Sequence, residues 1–157
     1  MHYRLYVPAD FPQLYGIEQL CFQPSFRFPR RYMLELVSSS ESATWIAEED
    51  QTMTGFGIVE WTSGSEQISA YIQTLEVAPV YRKRGIATEL LWRLEISATS
   101  AGARAIGLHV AETNASAINL YQANGYELRG RQESYYGEGM AALIHSKELV
   151  QPGQSRP

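Results

Sequence analysis

Apolar and polar positions alternate with a period of two in seven stretches of the chain, and this period predicts β-strands. The predicted strands comprise residues 3–7, 43–49, 53–62, 68–77, 105–110, about 126–132 and 139–146. Polar turns at Glu49-Asp50-Gln51 and Gly64-Ser65 separate the second, third and fourth of these strands. Three strands in direct succession predict an antiparallel meander.

Apolar residues spaced three and four positions apart predict four helices. Asp10 and Asn114 are expected to cap the first and the last, and a second helix is expected around Arg31 to Val37. The third runs from Gly85 to about Ser100. The apolar side of the first helix comprises Leu14, Ile17, Leu20 and Cys21, and that of the third comprises Ile86, Leu90, Leu91, Leu94 and Ala98. A meander followed by alternating helices and strands predicts an α/β fold with a mixed sheet.

Composition narrows the function classes. The chain has 157 residues, of which 45% are hydrophobic, so we expect one domain over 1–149 and a flexible tail over 150–157. A net charge of −4 argues against general nucleic-acid binding. The single cysteine excludes an internal disulfide, and the three histidines lack metal-ligand spacing, so no metal is expected. No signal peptide or membrane-spanning run is recognisable, which favours the cytoplasm.

One basic cluster stands where a predicted strand meets a predicted helix. Arg82-Lys83-Arg84 precedes Gly85, and a glycine there lets the backbone approach a ligand closely. The first turn of a helix has N–H groups without partners in the chain, and such a turn binds phosphate. The alternative is a basic turn that is merely solvated.

Two motifs in register extend this signal over roughly 67–147. The first is Arg82-x-x-Gly85-x-Ala87 after a strand ending Leu75-Glu76-Val77, and the second is Asn114-x-x-Ala117-x-x-x-Tyr121-x-x-x-Gly125-Tyr126. On these residues the chain resembles the GCN5-related N-acetyltransferase (GNAT) superfamily. Thr74-Leu75-Glu76-Val77 and Tyr135-Tyr136 make it most similar to protein N-terminal acetyltransferases, both RimI-like and eukaryotic.

The resemblance implies the GNAT fold, in which a twisted, mostly antiparallel sheet of seven strands is flanked by about four helices. A parallel pair of strands is splayed at the cofactor site. The implied cofactor is acetyl coenzyme A, whose pyrophosphate would lie on the basic turn. The residues expected to contact it are Leu75, Glu76, Val77, Arg82, Lys83, Arg84, Gly85, Ile86, Ala87, Thr88, Asn114, Ala117 and Tyr121.

Acyl transfer to an amine needs a free amine, stabilisation of the oxyanion and a proton for the departing thiolate. Tyr121 matches the tyrosine that supplies this proton in the superfamily, although its spacing also suits core packing. A main-chain N–H near Val77 is expected to stabilise the oxyanion where the parallel strands part.

The general base is assigned from a difference within the superfamily. His109 stands where RimI-like enzymes carry a glutamate, and in some eukaryotic N-terminal acetyltransferases this position is a histidine that works through water with a tyrosine. Tyr71 matches that tyrosine. A lone strand histidine can also be a hydrogen-bonded core residue. Glu76 is a second candidate base, or a brace for the strand end.

The resemblance also places an acceptor site in two loops. Phe22, Pro24 and Phe26 occupy the loop that forms the pocket for the first side chain, and Tyr135 and Tyr136 match a pair that binds the peptide backbone. Aromatic residues between strands can equally close the end of a core.

Together these features predict an enzyme that transfers acetyl from acetyl coenzyme A to a primary amine by direct attack in a ternary complex. The expected acceptor is the α-amino group of a protein, such as a ribosomal protein. Alternatives are a small amine such as a polyamine, amino sugar or amino acid, a coenzyme A sensor without turnover, and an accessory subunit. We expect a monomer or a homodimer, with no nucleic-acid, membrane or metal partner.

Overall fold

The computed structural model describes residues 1–63 and 66–150, which include a seven-stranded sheet. Its strands, in chain order, are β1 His2–Leu5, β2 Ser42–Glu49, β3 Thr52–Thr62, β4 Ile68–Val77, β5 Ala103–Ala111, β6 Glu127–Gln132 and β7 Ala142–Glu148. In space they follow the order β1-β2-β3-β4-β5-β7-β6. Every neighbouring pair is antiparallel except β4 and β5, which are parallel. The predicted mixed, mostly antiparallel sheet is confirmed.

Within the described ranges, four α-helices cover the two faces of this sheet. They are α1 Phe11–Cys21, α2 Arg30–Ser38, α3 Ile86–Ser100 and α4 Ala115–Ala123. On one face, apolar residues of α1 and α2 pack on β2 and β3 around Phe56 and Ile58. On the other, α3 and α4 pack on residues such as Val59, Ile72 and Ile106. Helices on both faces bury the sheet between two apolar layers.

The stripe predicted along α3 is buried as expected, since Ile86, Leu90, Leu91, Leu94 and Ala98 all lie in the core. Gly57 on β3 is the reason that α3 can lie so close to the sheet. A Cβ at Gly57 would meet the Leu94 Cδ1 atom at 2.8 Å, which real side chains do not tolerate.

The parallel pair separates partway along. Pairing of β4 with β5 runs from Ile68–Ala103 to Tyr71–Gly107 and then stops, although both strands continue for several residues. A β-bulge opposite Ile58 and Val59 shifts the register of β4 just beyond this point. The splay that the family resemblance implied is therefore present, and it opens a gap in the middle of the sheet.

Some local predictions differ from the structure. The last strand begins at Ala142 instead of 139, because Gly139 has a positive φ and the preceding segment turns back through a Tyr136 N–H bond to the Met140 carbonyl. Leu20 is 63% exposed, whereas the polar Glu18 is buried on α1. The Asp10 carboxylate accepts from Arg4 and the Val7 N–H instead of capping α1.

Two predictions lie outside the described residues. These are the turn at Gly64-Ser65 and the part of the expected tail that comprises 151–157.

Candidate active site

A cleft of about 490 Å³ lies where β4 and β5 separate. Its walls come from the loop between α1 and α2, the two separating strands, the start of α4 and the loop between β6 and β7. Among the residues predicted for the site, those that line it are Phe22, Phe26, Tyr71, Leu75, His109, Asn114, Ala117, Tyr121, Tyr135 and Tyr136. The fold thus brings together residues that are as much as 114 positions apart in the chain.

The basic turn and the start of α3 present a row of unused backbone donors. Gly85 is left-handed, with a φ of 79°, and begins α3 without a side-chain cap. Among the described residues, the N–H groups of 83–88 have no backbone acceptor, since the first bond after the turn is from Glu89 to the Gly85 carbonyl. Lys83 and Arg84 are exposed beside these N–H groups. Consecutive N–H groups at a helix start, flanked by cations, match what a pyrophosphate needs.

Arg82 is directed differently from its neighbours. Its Nε atom donates to the Val77 carbonyl at 3.0 Å, and Nη2 lies 3.6 Å from the Cys21 sulfur. Arg84 makes an exposed ion pair with Glu49 at 3.5 Å, and its guanidinium also lies over the Tyr81 ring. Arg82 therefore fastens the turn to β4 and α1. Neither Arg82 nor Lys83 makes an ion pair among the described residues, and Lys83 also makes no side-chain hydrogen bond there.

The backbone at the end of β4 faces the gap. The Ala78 N–H donates to the Thr54 carbonyl on β3 at 2.8 Å. Successive residues of a strand point their backbone groups to opposite sides, so the N–H and carbonyl of Val77 point away from β3. On that side the parallel pairing has already ended. A main-chain donor is thus directed into the gap.

Tyr121 enters the cleft from α4. Asn114 caps this helix as predicted, with its Oδ1 atom accepting from the Ala117 N–H at 3.2 Å. The Tyr121 side chain is 6% exposed and packs edge-on against Tyr126, with ring centroids 5.5 Å apart. Burial, and then the nearby Tyr136, raise the pKa of Tyr121. The phenol therefore stays protonated and can act as a proton donor.

Tyr71 and His109 form a hydrogen-bonded pair across the point where the strands separate. The Tyr71 hydroxyl lies 2.8 Å from His109 Nδ1, and His109 Nε2 lies 3.2 Å from Gln132 Oε1. Burial raises the pKa of Tyr71, so the phenol keeps its proton and donates it to Nδ1. In the tautomer that accepts at Nδ1, His109 carries its ring proton on Nε2 and donates it to Gln132 Oε1. Gln132 is not predictable as a site residue from the sequence, because nothing in the residues around it indicates a contact with His109 of β5.

An aromatic wall, which we define as Phe26, Tyr136, Tyr135 and His109, closes the other side of the cleft. The His109 ring stacks on Tyr135 with centroids 4.3 Å apart, Tyr135 meets Tyr136 edge-on at 4.8 Å, and Tyr136 contacts Phe26 at 4.9 Å. Burial raises the pKa of Tyr136 to about 12. The wall joins the two loops that the resemblance had associated with the acceptor.

Besides Val77 and residues 82–87, three other predicted site residues do not line the cleft. Pro24 is exposed in a short 3₁₀ turn, because its ring starts that turn and points outward. Thr88 is exposed on the first turn of α3, near the row of unused donors. Glu76 is 3% exposed and faces Glu18 on α1 instead of the cleft, which makes it poorly placed to act as a base.

No group of three or more His, Cys, Asp or Glu side chains in the described ranges is arranged to hold a metal ion. No helix within those ranges combines the length and the apolar character that crossing a membrane requires.

Comparison with known proteins gives the family. The family model for the acetyltransferase (GNAT) family matches residues 11–126. The chain is 26% identical over 143 residues to the N-terminal acetyltransferase A complex catalytic subunit NAA10 of Arabidopsis thaliana, covering 89% of this chain and 73% of that protein. It is also 26% identical over 150 residues to an N-alpha-acetyltransferase of Sulfurisphaera tokodaii, covering 90% and 89%.

Among solved structures, the ribosomal-protein-S18-alanine N-acetyltransferase of Escherichia coli is similar, with a TM-score of 0.83 at 21% identity, covering 99% of this chain and 98% of that one. The predicted similarity to RimI-like and N-terminal acetyltransferases is confirmed. The matched family model, the splayed sheet and the cleft at its centre lead to one conclusion: this chain belongs to the GNAT family and is an acetyl-CoA-dependent N-acetyltransferase.

Proposed function

We propose that this enzyme acetylates the N-terminal α-amino group of a protein, as the names of its two sequence relatives suggest. The observation that carries the proposal is the Tyr71–His109 hydrogen bond of 2.8 Å at the splay, beside the aromatic wall. This pair offers a proton acceptor next to a surface that suits a peptide, which a catalyst for a protein terminus needs.

Acetyl-CoA fits the donor side of the cleft, and it supplies an acetyl thioester when bound. The open N–H groups of 83–88, together with Lys83 and Arg84, would hold its pyrophosphate. Asn114, Ala117 and Leu75 line the adjoining part of the cleft, where they would contact the pantetheine arm. The Val77 N–H faces the gap and would stabilise the oxyanion.

The chain's own side chains would move the two protons that the reaction requires. An α-amino group has a pKa of about 7.7–8.0, so an arriving terminus is often protonated and must lose one proton. Tyr71, through water, accepts that proton as it passes its own to Nδ1 of His109, and Gln132 stabilises the resulting imidazolium through Nε2–H. Tyr121 would donate its phenolic proton to the departing sulfur, and the second proton that the attacking nitrogen loses as the amide forms would restore the phenol. Direct attack needs no acyl-enzyme, and the roles of all these residues are part of the proposal.

A panel of acceptors tests this function. Purified enzyme is given acetyl-CoA and peptides with free N-termini, the same peptides blocked at the N-terminus, polyamines, amino sugars and free amino acids, and release of free thiol is measured. We expect turnover with the free peptides and none with the blocked ones. Faster turnover with a polyamine, amino sugar or amino acid would replace the peptide proposal with a small-amine function.

A further inference from the structure

A pair of buried carboxyl groups joins α1 to the end of β4, and the chemistry proposed above does not use it. Glu18 of α1 is 0% exposed and Glu76 of β4 is 3% exposed. Buried glutamates are rare unless they are paired, because taking a charge out of water is costly. Glu18 belongs to the helix before the acceptor loop, and Glu76 belongs to the strand that ends at the gap. The burial of two carboxyl groups at this junction therefore needs a physical reason.

One oxygen of each carboxyl group accepts a hydrogen bond from a neighbouring residue. Glu18 Oε2 accepts from the Phe28 N–H at 2.9 Å, in the loop between α1 and α2. Glu76 Oε2 accepts from the Thr74 hydroxyl at 2.6 Å, on the same strand. Glu18 therefore holds the loop that carries Phe26, while Glu76 is fastened to the strand that separates from β5.

The second oxygens of the two groups, Glu18 Oε1 and Glu76 Oε1, are both sealed from solvent, and neither receives a hydrogen bond from a donor among the described residues. The two carboxyl groups lie close enough for a side-chain hydrogen bond between them. Two carboxylates can only accept, so this contact requires a proton between them. Burial first, and then the hydrogen bond and charge of Glu18, raise the pKa of Glu76 well above its usual range. One proton is accordingly shared by the pair.

Among the described residues, no cation acts on Glu76 in place of that proton. The side chains that act on Glu76 are Glu18 and Cys21 of α1 and Thr74 of β4. The nearby Arg82 is committed to the Val77 carbonyl at 3.0 Å and lies beside the Cys21 sulfur. If the shared proton were lost, two negative charges would face each other in a nonpolar interior, where their repulsion is strong.

We propose that the hydrogen-bonded Glu18–Glu76 pair is a positioning device for the acceptor pocket, which holds the α1–α2 loop against the end of β4 through the Phe28 N–H. The inference rests on the proposed function in so far as that loop binds the acceptor. It assigns Glu76 a supporting role instead of the role of a base, because its side chain faces α1. Loss of the shared proton at alkaline pH should loosen the loop and weaken acceptor binding, while the coenzyme A side is unaffected.

Two substitutions at one position separate this role from its alternatives. Glu76→Gln places an N–H where the carboxylic acid has its proton, so the link to Glu18 no longer depends on pH. Glu76→Ala removes the link and leaves Glu18 buried without its partner. We expect Glu76→Ala to raise the acceptor KM by about tenfold with kcat changed less than about threefold. In the wild type the acceptor KM should rise toward alkaline pH, and in Glu76→Gln it should stay flat.

The outcomes that would overturn the inference are distinct. A large loss of kcat in Glu76→Gln with an unchanged acceptor KM would show that Glu76 takes part in the chemistry. An alkaline rise in KM that is the same in Glu76→Gln and the wild type would show that the pair does not cause it. Thermal unfolding of both variants confirms that each remains folded during the assay.

A second measurement does not depend on which acceptor is correct. Infrared spectra of the resting protein at neutral pH should contain the carbonyl band of a buried, protonated carboxylic acid, and Glu76→Gln should remove it. Amide exchange at Phe28 should be slow in the wild type and in Glu76→Gln, and faster in Glu76→Ala. If the band is absent or the exchange is unchanged, the positioning role is wrong even when the peptide assay succeeds. If both appear and no peptide reacts, only the proposed acceptor is wrong.

Discussion

At the scale of single residues, burial determines which side chains can give or take a proton. Tyr121 and Tyr71 have raised pKa values because they are buried, so both remain phenols at neutral pH. They differ in their partners. Tyr71 bonds His109, whereas the Tyr121 hydroxyl has no hydrogen-bond partner among the described residues. The first is therefore suited to a relay and the second to direct donation.

Replacement of Tyr121 by Phe tests the proton donor. The change keeps the ring and removes only the hydroxyl, so we expect kcat to fall by about a hundredfold or more, with coenzyme A affinity within about threefold. Steady-state kinetics and calorimetric titration measure the two effects. Tyr126→Phe is a matched control, because Tyr126 contacts Tyr121 but bonds Glu95 outside the cleft. An unchanged kcat in Tyr121→Phe would remove this residue from the mechanism.

The Tyr71–His109 pair is tested by a double-mutant cycle. Tyr71→Phe and His109→Ala each interrupt the same relay, so we expect each to lower kcat/KM by about 10²-fold, and the double variant to be little worse than the more impaired single one. The measurement is kcat/KM for a reactive peptide across a range of pH. Effects that multiply would mean that the two residues act independently, and would point to bulk solvent as the proton acceptor.

At the scale of elements, the junction between β4 and α3 carries the strongest local signal in the chain. Gly85 permits the left-handed turn, and the N–H groups that follow it have no acceptor in the backbone. This arrangement follows from Gly85 and from the helix that begins directly after it, and it needs no contact with a distant part of the chain. The α1–α2 loop is the opposite case, since its Phe26 ring contacts Tyr136 of the β6–β7 loop, 110 positions away in the chain.

Substitution of Gly85 by Glu tests the pyrophosphate turn. A Cβ at Gly85 would meet no atom within 4 Å, so the side chain fits, but it places a negative charge among the open donors. We expect the dissociation constant of coenzyme A to rise by about 10²-fold or more, while the fold survives a strain of about 1–2 kcal/mol. Calorimetry measures the binding and circular dichroism the fold.

Gly102→Glu is the matched control for this change. Gly102 follows the other end of α3, is also left-handed with a φ of 94°, and is exposed. The control adds the same charge and a similar backbone strain far from the turn, so coenzyme A should bind it normally. Normal binding by Gly85→Glu as well would defeat the assignment.

At the scale of the whole molecule, the two helical layers enclose groups whose charge the fold cannot accommodate. His145 on β7 is fully buried, and neither ring nitrogen has a partner among the described residues. Burial lowers its pKa below the usual 6.5, so the folded protein keeps it neutral. As the pH falls below 6.5 the unfolded chain takes up a proton that the folded protein does not, and unfolding becomes easier.

The expected result is a free energy of unfolding that declines from neutral pH toward pH 5, because of this histidine among other groups. His145→Leu should flatten that decline, and it should not destabilise the protein at neutral pH by more than about 1 kcal/mol, since it removes an unpaired polar group. Denaturant unfolding at several pH values measures both effects. His2→Gln, at an exposed histidine, is the control. Parallel curves for His145→Leu and the wild type would contradict the explanation.

The sequence by itself determined what depends on neighbours along the chain. The strand and helix periods, the cap by Asn114 and the left-handed turn at Gly85 follow from local backbone geometry and side-chain spacing, and the structure has each of them. The junction of strand, turn and helix was recognisable for the same reason.

Only the tertiary structure decided how remote groups meet. The end of pairing at Tyr71–Gly107, the contact of His109 with Gln132 and the Glu18–Glu76 pair each join residues from different elements. No periodicity encodes such contacts. Leu20 illustrates the limit, because the helical pattern placed it on the buried side while packing of α1 on β3 and β4 buried Glu18 instead. Which residue of an amphipathic helix is covered depends on the surface it meets, and that surface exists only once the sheet has formed.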